Sequence, residues 1–194
     1  MVRSTGFKKV KTTIFISGNG SNMKNLIKFS KLKNSPIAIN LVLSSNKKAN
    51  ALNYLKKKKI NFKIFDFKKK NRDEKKILDI LKKKDTQLIC LAGFMKILSR
   101  NFIKRFKGKI LNIHPSLLPK YKGLNTHKRA IINKEKFSGC TVHIVNSKLD
   151  SGKIIMQKKV RINKNDDPES LSKKILKQEH LLYPKALIKL LSRN

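Results

Sequence analysis

The segment NIHPSLLP at 112–119 carries side chains suited to acyl-transfer chemistry. Asn112 and His114 are two residues apart at the end of an apolar run, so a β-strand would place both on one face. An amide can donate a hydrogen bond to a developing oxyanion, while an imidazole moves protons near neutral pH. A histidine at such a position is often structural, and the neighbouring amide and the two prolines favour the catalytic interpretation.

Asp150 lies in the segment LDSG at 149–152, in a predicted turn between two strands. A carboxylate there either closes a hairpin turn or holds the ring of His114. If it reaches His114, it should raise the pKa of that imidazole above about 6.5 by favouring the imidazolium. His143 alternates with apolar neighbours on the preceding strand and is interpreted as structural.

The segment SGNGSN at 17–22 directly follows the first apolar run. Its two glycines permit a tight turn, and the next helix would point the N–H groups of Gly20, Ser21 and Asn22 into that turn. Such a helix start binds a phosphate group. The third glycine of the dinucleotide fingerprint is missing, so NAD is not expected. An ordinary β–α turn is the alternative.

An apolar segment, LAGFMKIL at 91–98, follows another predicted strand. It would suit a flat heteroaromatic ligand, or it would simply cover the core.

The elements that must position these residues follow from the alternation of apolar runs with lysine-rich segments of helical length. This pattern predicts an α/β fold with a mostly parallel twisted sheet flanked by helices. The predicted strands cover 12–17, 37–44, 60–65, 87–92, 109–113, 140–146 and 153–160. The predicted helices cover 21–32, 47–58, 71–84, 127–134 and 168–191. The polar segments then fall at the carboxyl ends of strands, where open parallel sheets bind ligands.

The composition is strongly basic, with 48 Lys and Arg against 11 Asp and Glu and a net charge of +37. The lysines are spread along the chain and arginine is scarce, which favours drift in an A/T-rich genome over a nucleic-acid-binding surface. A polyanionic partner remains the alternative. No apolar run approaches the roughly 20 residues of a membrane span, and no secretory segment follows the basic residues 1–11, so a cytoplasmic protein is expected. Cys90 and Cys140 lack metal-ligand spacing, so no metal is expected.

Taken together, the chain resembles the glycinamide ribonucleotide formyltransferases, the folate-dependent enzymes of purine synthesis, from about Thr12 to Tyr183. The resemblance is carried by ISGNGSN at 16–22, LAGFMKILS at 91–99, NIHPSLLPKYKG at 112–123, GCTVHIVNSKLDSG at 139–152 and QEHLLYP at 178–184. It implies a single Rossmann-like formyltransferase domain over 1–194. A phosphate-binding half would cover about 10–105, and a folate-binding and catalytic half about 106–194. It also implies formyl transfer from 10-formyltetrahydrofolate to the amine of glycinamide ribonucleotide, without a metal.

The resemblance further implies roles for single residues. The catalytic trio would be Asn112, His114 and Asp150. The substrate-binding residues would be Gly20, Ser21 and Asn22 in the phosphate loop, with Glu179 near the amine. The folate-binding residues would be Arg72, Met95, Lys96, Ile97, Leu98, Asn112, Asn146, Ser147, Lys148, Leu149 and Asp150. The chain departs from the family at Lys96, where Arg is usual, and at Ser151, where a small residue, often Gly, is usual. Neither change touches the trio, and Lys96 keeps the positive charge but lacks the planar fork of arginine.

Three alternatives remain at this stage. Methionyl-tRNA formyltransferase shares the trio but is expected to carry a C-terminal RNA-binding domain, whereas this chain ends at Asn194. Formyltetrahydrofolate hydrolase is expected to carry an extra N-terminal domain, whereas the first strand here begins by Thr12. A basic nucleic-acid-binding module has no use for the trio. We therefore expect an enzyme that acts on small-molecule substrates and binds neither a specific nucleic acid nor a membrane. We expect it to be a monomer or a homodimer.

Overall fold

Seven strands form one twisted sheet in the order β3-β2-β1-β4-β5-β6-β7. The computed structural model describes residues 8–192, so most of the predicted basic segment 1–11 lies outside the described residues. The strands are β1 (Val10–Ile16), β2 (Ile37–Ser44), β3 (Phe62–Ile64), β4 (Leu88–Leu91), β5 (Lys109–His114), β6 (Phe137–Ile144) and β7 (Ile154–Arg161). β1 to β5 pair in parallel, and β6 and β7 are antiparallel to their neighbours. The predicted mostly parallel α/β sheet is confirmed.

Six helices connect or cover these strands within the described residues. They are α1 (Ser21–Ser30), α2 (Ala51–Lys57), α3 (Lys70–Lys83), α4 (Arg100–Arg105), α5 (Thr126–Ile132) and α6 (Pro168–Leu191). Helix α4 is not among the helices predicted from the sequence. It is short and is capped by the Ser99 side chain, which accepts a hydrogen bond from the Phe102 amide. The predicted start of α6 is confirmed, because Asp167 caps it through the Ser170 amide and Pro168 occupies its first turn.

Alternate residues of the inner strands face the two sides of the sheet. Ile14 and Ile16 belong to a buried cluster with residues of α1, α2 and α6. Phe15, between them, belongs to a second cluster with residues of α3 and α4. The sheet is therefore covered on both faces, which fixes the direction in which each strand end points its side chains. Among the described helices, none is long and apolar enough to cross a membrane.

The antiparallel pairing of β5 with β6 sets the relative positions of several predicted site residues. In this register Asn112 lies opposite His143, and His114 lies opposite Thr141. Directly opposed residues project their side chains to the same face of the sheet. The turn between β6 and β7 then returns the chain beside the end of β5, and Asp150 lies in that turn with a left-handed φ of 44°.

Candidate active site

A cavity of about 610 Å³ lies at the carboxyl edge of the sheet, where the elements that carry the predicted residues converge. Its lining includes the start of α1, the loop at 93–98, the end of β5 and the β6–β7 turn. The cavity is lined by Asn112, His114 and Asp150, and also by Glu179 of α6. The cavity thus brings together residues that are far apart in the sequence: Ser21 and Glu179, both in its lining, are separated by 158 positions.

The Asp150 carboxylate is the centre of a polar cluster on the cavity wall. Its Oδ2 accepts a hydrogen bond of 2.9 Å from the Gly123 amide and lies 3.4 Å from His114 Nδ1. Its Oδ1 accepts from Asn112 Nδ2 at 3.4 Å and lies 3.6 Å from His143 Nε2. The side chains of Asp150 and His114 are each only 7% exposed, so these contacts are shielded from water.

The proton position on His114 follows from its other contact. Its Nε2 lies 2.8 Å from the Tyr121 carbonyl oxygen, which is only an acceptor, so Nε2 carries a proton. A neutral ring then has no proton on Nδ1, the atom that faces Asp150. His114 is therefore arranged to take up a proton on Nδ1, where the carboxylate stabilises the resulting imidazolium.

Asp150 acts on the pKa of His114 in the expected direction, but the expected net rise does not occur. Burial lowers the pKa of this imidazole below its ordinary value, and this effect outweighs the Tyr121 carbonyl and the Asp150 carboxylate, which both raise it. Burial also pushes the pKa of Asp150 upward, but the neighbouring His143 ring, the Gly123 amide and His114 together hold it below its ordinary value. The resting pair is thus a neutral imidazole beside an ionised carboxylate.

His143 also lines the cavity, although it is not among the site residues predicted from the sequence. Its Nδ1 donates to its neighbour's carbonyl, that of Ile144, at 3.1 Å, which leaves Nε2 as an acceptor for Asn112 Nδ2 at 3.3 Å. The sequence pattern favours a structural role for this histidine, and the structure adds that its ring contacts two of the three predicted catalytic residues, Asn112 and Asp150. Alternation along β6 alone could not reveal this, since the contact depends on the β5–β6 register.

A loop after β5 supports both His114 and Asp150 through its backbone. The Tyr121 carbonyl accepts from His114, and two residues later the Gly123 amide donates to Asp150. The Tyr121 hydroxyl donates to Glu135 at 2.8 Å and accepts from Asn133 at 2.9 Å, which anchors this loop on the outer surface. The loop therefore fixes the relative positions of the imidazole and the carboxylate.

The turn before α1 has the form expected of an anion site. Gly20 adopts a left-handed φ of 69° at the N-cap, and no side chain caps the helix, so the amides of its first turn are available to a ligand. Ser21 and Asn22 line the cavity, whereas Gly20 lies behind them and shapes the turn. Asn22 Nδ2 donates to Glu179 Oε2 at 2.6 Å, which joins α1 to α6. Burial raises the pKa of Glu179, and the Asn22 hydrogen bond only partly opposes this.

The predicted folate-binding residues fall into two groups. Those that line the cavity are Met95, Lys96, Ile97, Leu98, Asn146, Ser147, Lys148 and Leu149, besides Asn112 and Asp150. Met95 and Ile97 are each 64% exposed although they are apolar, which is unusual and marks a surface that a ligand can cover. Arg72, in contrast, lies exposed on α3, and the structure does not bring it into the cavity.

Several lining residues lie outside the set predicted from the sequence. Phe94, Leu124 and Val145 add apolar surface, and His127 adds a buried Nδ1 that has no hydrogen-bond partner among the described residues. No group of three or more His, Cys, Asp or Glu side chains that could hold a metal ion occurs within residues 8–192.

The fold and this cavity can be compared with known proteins. The family described as formyl transferase matches residues 10–187, which is most of the chain. The chain belongs to the formyl transferase family. The segments that line the cavity, and all but the last residues of α6, fall within the matched range.

Individual formyl transferases agree with this assignment. The chain is 41% identical over 177 residues to the phosphoribosylglycinamide formyltransferase of Haemophilus influenzae, covering 90% of this chain and 84% of that protein. It is 42% identical to the phosphoribosylglycinamide formyltransferase of Brucella melitensis, whose crystal structure it matches with a TM-score of 0.89 over 96% of this chain and 98% of that one.

Larger proteins contain a similar segment. The chain is 40% identical over 190 residues to the trifunctional purine biosynthetic protein adenosine-3 of Chironomus tentans, covering 95% of this chain and 14% of that protein. It spans 14% to 18% of the length of the trifunctional curated relatives that it matches.

Proposed function

We propose that this formyl transferase moves the formyl group of 10-formyltetrahydrofolate to the amine of glycinamide ribonucleotide. The products are formylglycinamide ribonucleotide and tetrahydrofolate, in purine biosynthesis. The observation that carries the proposal is the position of Asn112, His114 and Asp150 on one cavity wall, between an uncapped helix start and an exposed apolar loop. An anionic nucleotide and a flat heteroaromatic donor can then meet at the trio.

The ribonucleotide phosphate is assigned to the first turn of α1. Backbone amides of residues 20–22 and the positive end of the helix favour a dianion there. Asn22 Oδ1 is buried without a hydrogen-bond partner among the described residues, so it is available to a substrate N–H or O–H group. Glu179 faces the same space, which supports its role beside the amine substrate.

The folate is assigned to the other side of the cavity, between the loop at 93–98 and the segment 146–149. Met95, Ile97 and Leu149 supply exposed apolar surface for a pterin ring and the adjoining aromatic ring. Lys96 and Lys148 lie on the same two segments and supply positive charge for the folate carboxylates. Lys96 attracts a carboxylate without the planar fork of arginine.

The chemical roles of the trio follow from their contacts. Asn112 donates to Asp150 and His143 over long distances of 3.4 and 3.3 Å. One of these hydrogen bonds is exchanged for a hydrogen bond to the oxyanion that develops on the formyl oxygen when the amine attacks the formyl carbon. Nδ1 of His114 accepts the proton that the attacking amine loses, and Asp150 stabilises the imidazolium. The imidazolium then returns the proton to the folate nitrogen as that nitrogen departs.

We further propose how the two halves of the chain divide the binding of the substrates, and where and with which partners the enzyme acts. Residues of about 10–105 would supply the phosphate side, and residues of about 106–194 would supply most of the folate-binding and catalytic side. We place the enzyme in the cytoplasm as a monomer or homodimer that acts on small molecules and has no specific nucleic acid partner. The scattered lysines and the scarcity of arginine support the last point.

An acceptor panel tests the proposal. Purified protein and 10-formyltetrahydrofolate are combined in three parallel reactions, which contain glycinamide ribonucleotide, methionyl initiator tRNA or buffer alone. Folate absorbance reports the release of tetrahydrofolate in each reaction. We expect turnover with the ribonucleotide only. His114→Ala, in the same panel, should keep folate binding and lose turnover.

Two results would contradict the proposal. Formylated tRNA would identify a methionyl-tRNA formyltransferase, and formate release in buffer alone, at a rate equal to that with the ribonucleotide, would identify a hydrolase.

A further inference from the structure

We propose that Ser17 is a positioning residue that couples the binding of the two substrates. This inference rests on the proposed function, because it concerns the phosphate side and the folate side of the same cavity. Ser17 follows β1, is only 9% exposed, and does not itself line the cavity. Its position just before the phosphate turn and its contacts with the loop at 93–98 carry the argument.

Ser17 holds the loop at 93–98 through two hydrogen bonds. Its hydroxyl accepts from the Met95 amide at 2.8 Å, and its own amide donates to the Gly93 carbonyl at 3.0 Å. Met95 lines the cavity and exposes its side chain to the folate side. Ser17, at the end of β1, therefore helps to set the backbone position of the loop at 93–98, which carries the exposed apolar side chains.

The same residue is tied to the turn after β2. The hydroxyl groups of Ser17 and Ser45 are 2.6 Å apart, and the Ser17 carbonyl accepts from Asn46 Nδ2 at 3.2 Å. The carbonyl of Gly18, the next residue, accepts from the Ala51 amide at the start of α2 at 3.2 Å. Ser17 thus joins three loops at one edge of the sheet, those that follow β1, β2 and β4.

Coupling follows from this shared residue. A phosphate bound at the first turn of α1 restricts the chain from Gly18 to Asn22, and so restricts Ser17 next to it. A folate bound against the loop at 93–98 restricts Met95, whose amide is held by the Ser17 hydroxyl. Each substrate therefore orders part of the surface that the other needs, and the two binding free energies must be coupled reciprocally.

The test measures this coupling with ligands that do not react. The dissociation constant of tetrahydrofolate is measured by titration calorimetry with and without saturating glycinamide ribonucleotide, and the ratio of the two constants is the coupling factor. For the wild-type protein we expect a factor of roughly five or more, within the usual range for coupled sites. Ser17→Ala should bring the factor close to one.

Control variants separate coupling from a loss of stability. Thr13 lies on β1, the strand that Ser17 follows, and is fully buried. Its hydroxyl forms hydrogen bonds with the side chains of Asn40 and Thr86, each at 2.9 Å, away from the cavity. Thr13→Val should lower thermal stability and leave the coupling factor unchanged. Ser45→Ala removes one partner of Ser17 but leaves the bond to the Met95 amide, so it should retain most of the coupling.

A coupling factor near one in the wild-type protein, or an unchanged factor in Ser17→Ala, would overturn the inference while leaving the proposed function intact. Failure of the wild-type protein to bind either ligand would overturn the proposed function first. If Ser17→Ala does not fold, Ser17→Cys replaces it with the same expectation, because a thiol is a weak acceptor for the Met95 amide.

Discussion

Asp150 is the residue on which the other side chains of the site depend. One oxygen contacts His114 and the Gly123 amide, and the other contacts Asn112 and His143. Its left-handed backbone conformation, unusual for a residue other than glycine, is held by the turn between β6 and β7. The carboxylate therefore orients the imidazole and the amide at once.

Replacing Asp150 with Asn should lower kcat by about 10²-fold or more and change either KM much less, because the charge acts on the imidazolium formed during reaction. The carboxylate also raises the pKa of His114 against the effect of burial. Its loss should therefore lower that pKa further, and the acid limb of the kcat/KM profile should move to lower pH. A shift of this limb to higher pH would contradict the assigned pairing.

For single residues, the sequence predicts which side chains belong to the site better than it predicts their contacts and pKa values. The positions of Asn112 and His114 follow from alternation along one strand, and Asp150 follows from a turn signal and the family resemblance. The contact of His143 with Asn112 depends on a strand register, and the pKa of His114 depends on how deeply it is buried. Neither quantity is contained in the spacing of residues along the chain.

The element that most tightly constrains the site is the turn into α1. A Cβ atom at Gly20 would approach the Ala51 Cβ to 2.7 Å, and the left-handed φ of 69° there is itself costly for a residue with a side chain. Gly18, two positions earlier, has no heavy atom within 4 Å of such a Cβ. The two glycines thus differ sharply in what a methyl group would do.

Gly20→Ala should raise the KM for the ribonucleotide roughly tenfold or more, since even one weakened hydrogen bond to a charged phosphate costs at least about 1.5 kcal/mol. The KM for the folate should change much less, and thermal unfolding should occur at a lower temperature. Gly18→Ala is the matched control and should behave as wild type in both assays. Equal losses for both substrates in Gly20→Ala would point to a general defect in folding.

All of the described elements except α4 were predictable from the sequence. Long apolar runs and lysine-rich helical segments identify all seven strands and five of the helices, with ends that shift by a few residues, as at α2. The missed α4 is a six-residue helix without a clear apolar stripe, and it depends on the Ser99 cap and on the burial of Phe102. Such short helices are stabilised by tertiary contacts that a local pattern does not contain.

For the whole molecule, histidines that are buried or half-buried in the folded protein influence how stability responds to mild acid. Burial lowers the pKa values of His114, His127 and His180 below their ordinary value. Between the folded and unfolded pKa values the unfolded chain binds more protons, so the free energy of unfolding must fall as the pH decreases through and below about 6.5. Glu179 has the opposite effect on the free energy of unfolding, because burial raises its pKa in the folded protein. This effect is confined to the pH range between about 4.5, the ordinary pKa, and the raised value.

Urea denaturation at pH 7.5, 6.5 and 5.5 should show this decrease. High salt separates it from the general repulsion of a chain with a net charge of +37, because salt screens exposed charges much more than buried ones. His180→Gln, which removes a histidine outside the cluster of Asn112, His114 and Asp150, should make the decrease shallower. A free energy of unfolding that stays constant or rises over this range would show that the histidines are not buried as described.

The transfer itself is the central claim, and an isotope label tests it directly. The enzyme is mixed with glycinamide ribonucleotide and 10-formyltetrahydrofolate that carries ¹³C in its formyl group, and the label is followed by NMR. The account predicts that the labelled carbon moves to an amide on the ribonucleotide, at a rate that depends on His114 and Asp150. Label that stays on the folate, or that appears as free formate while the ribonucleotide is unchanged, would contradict it.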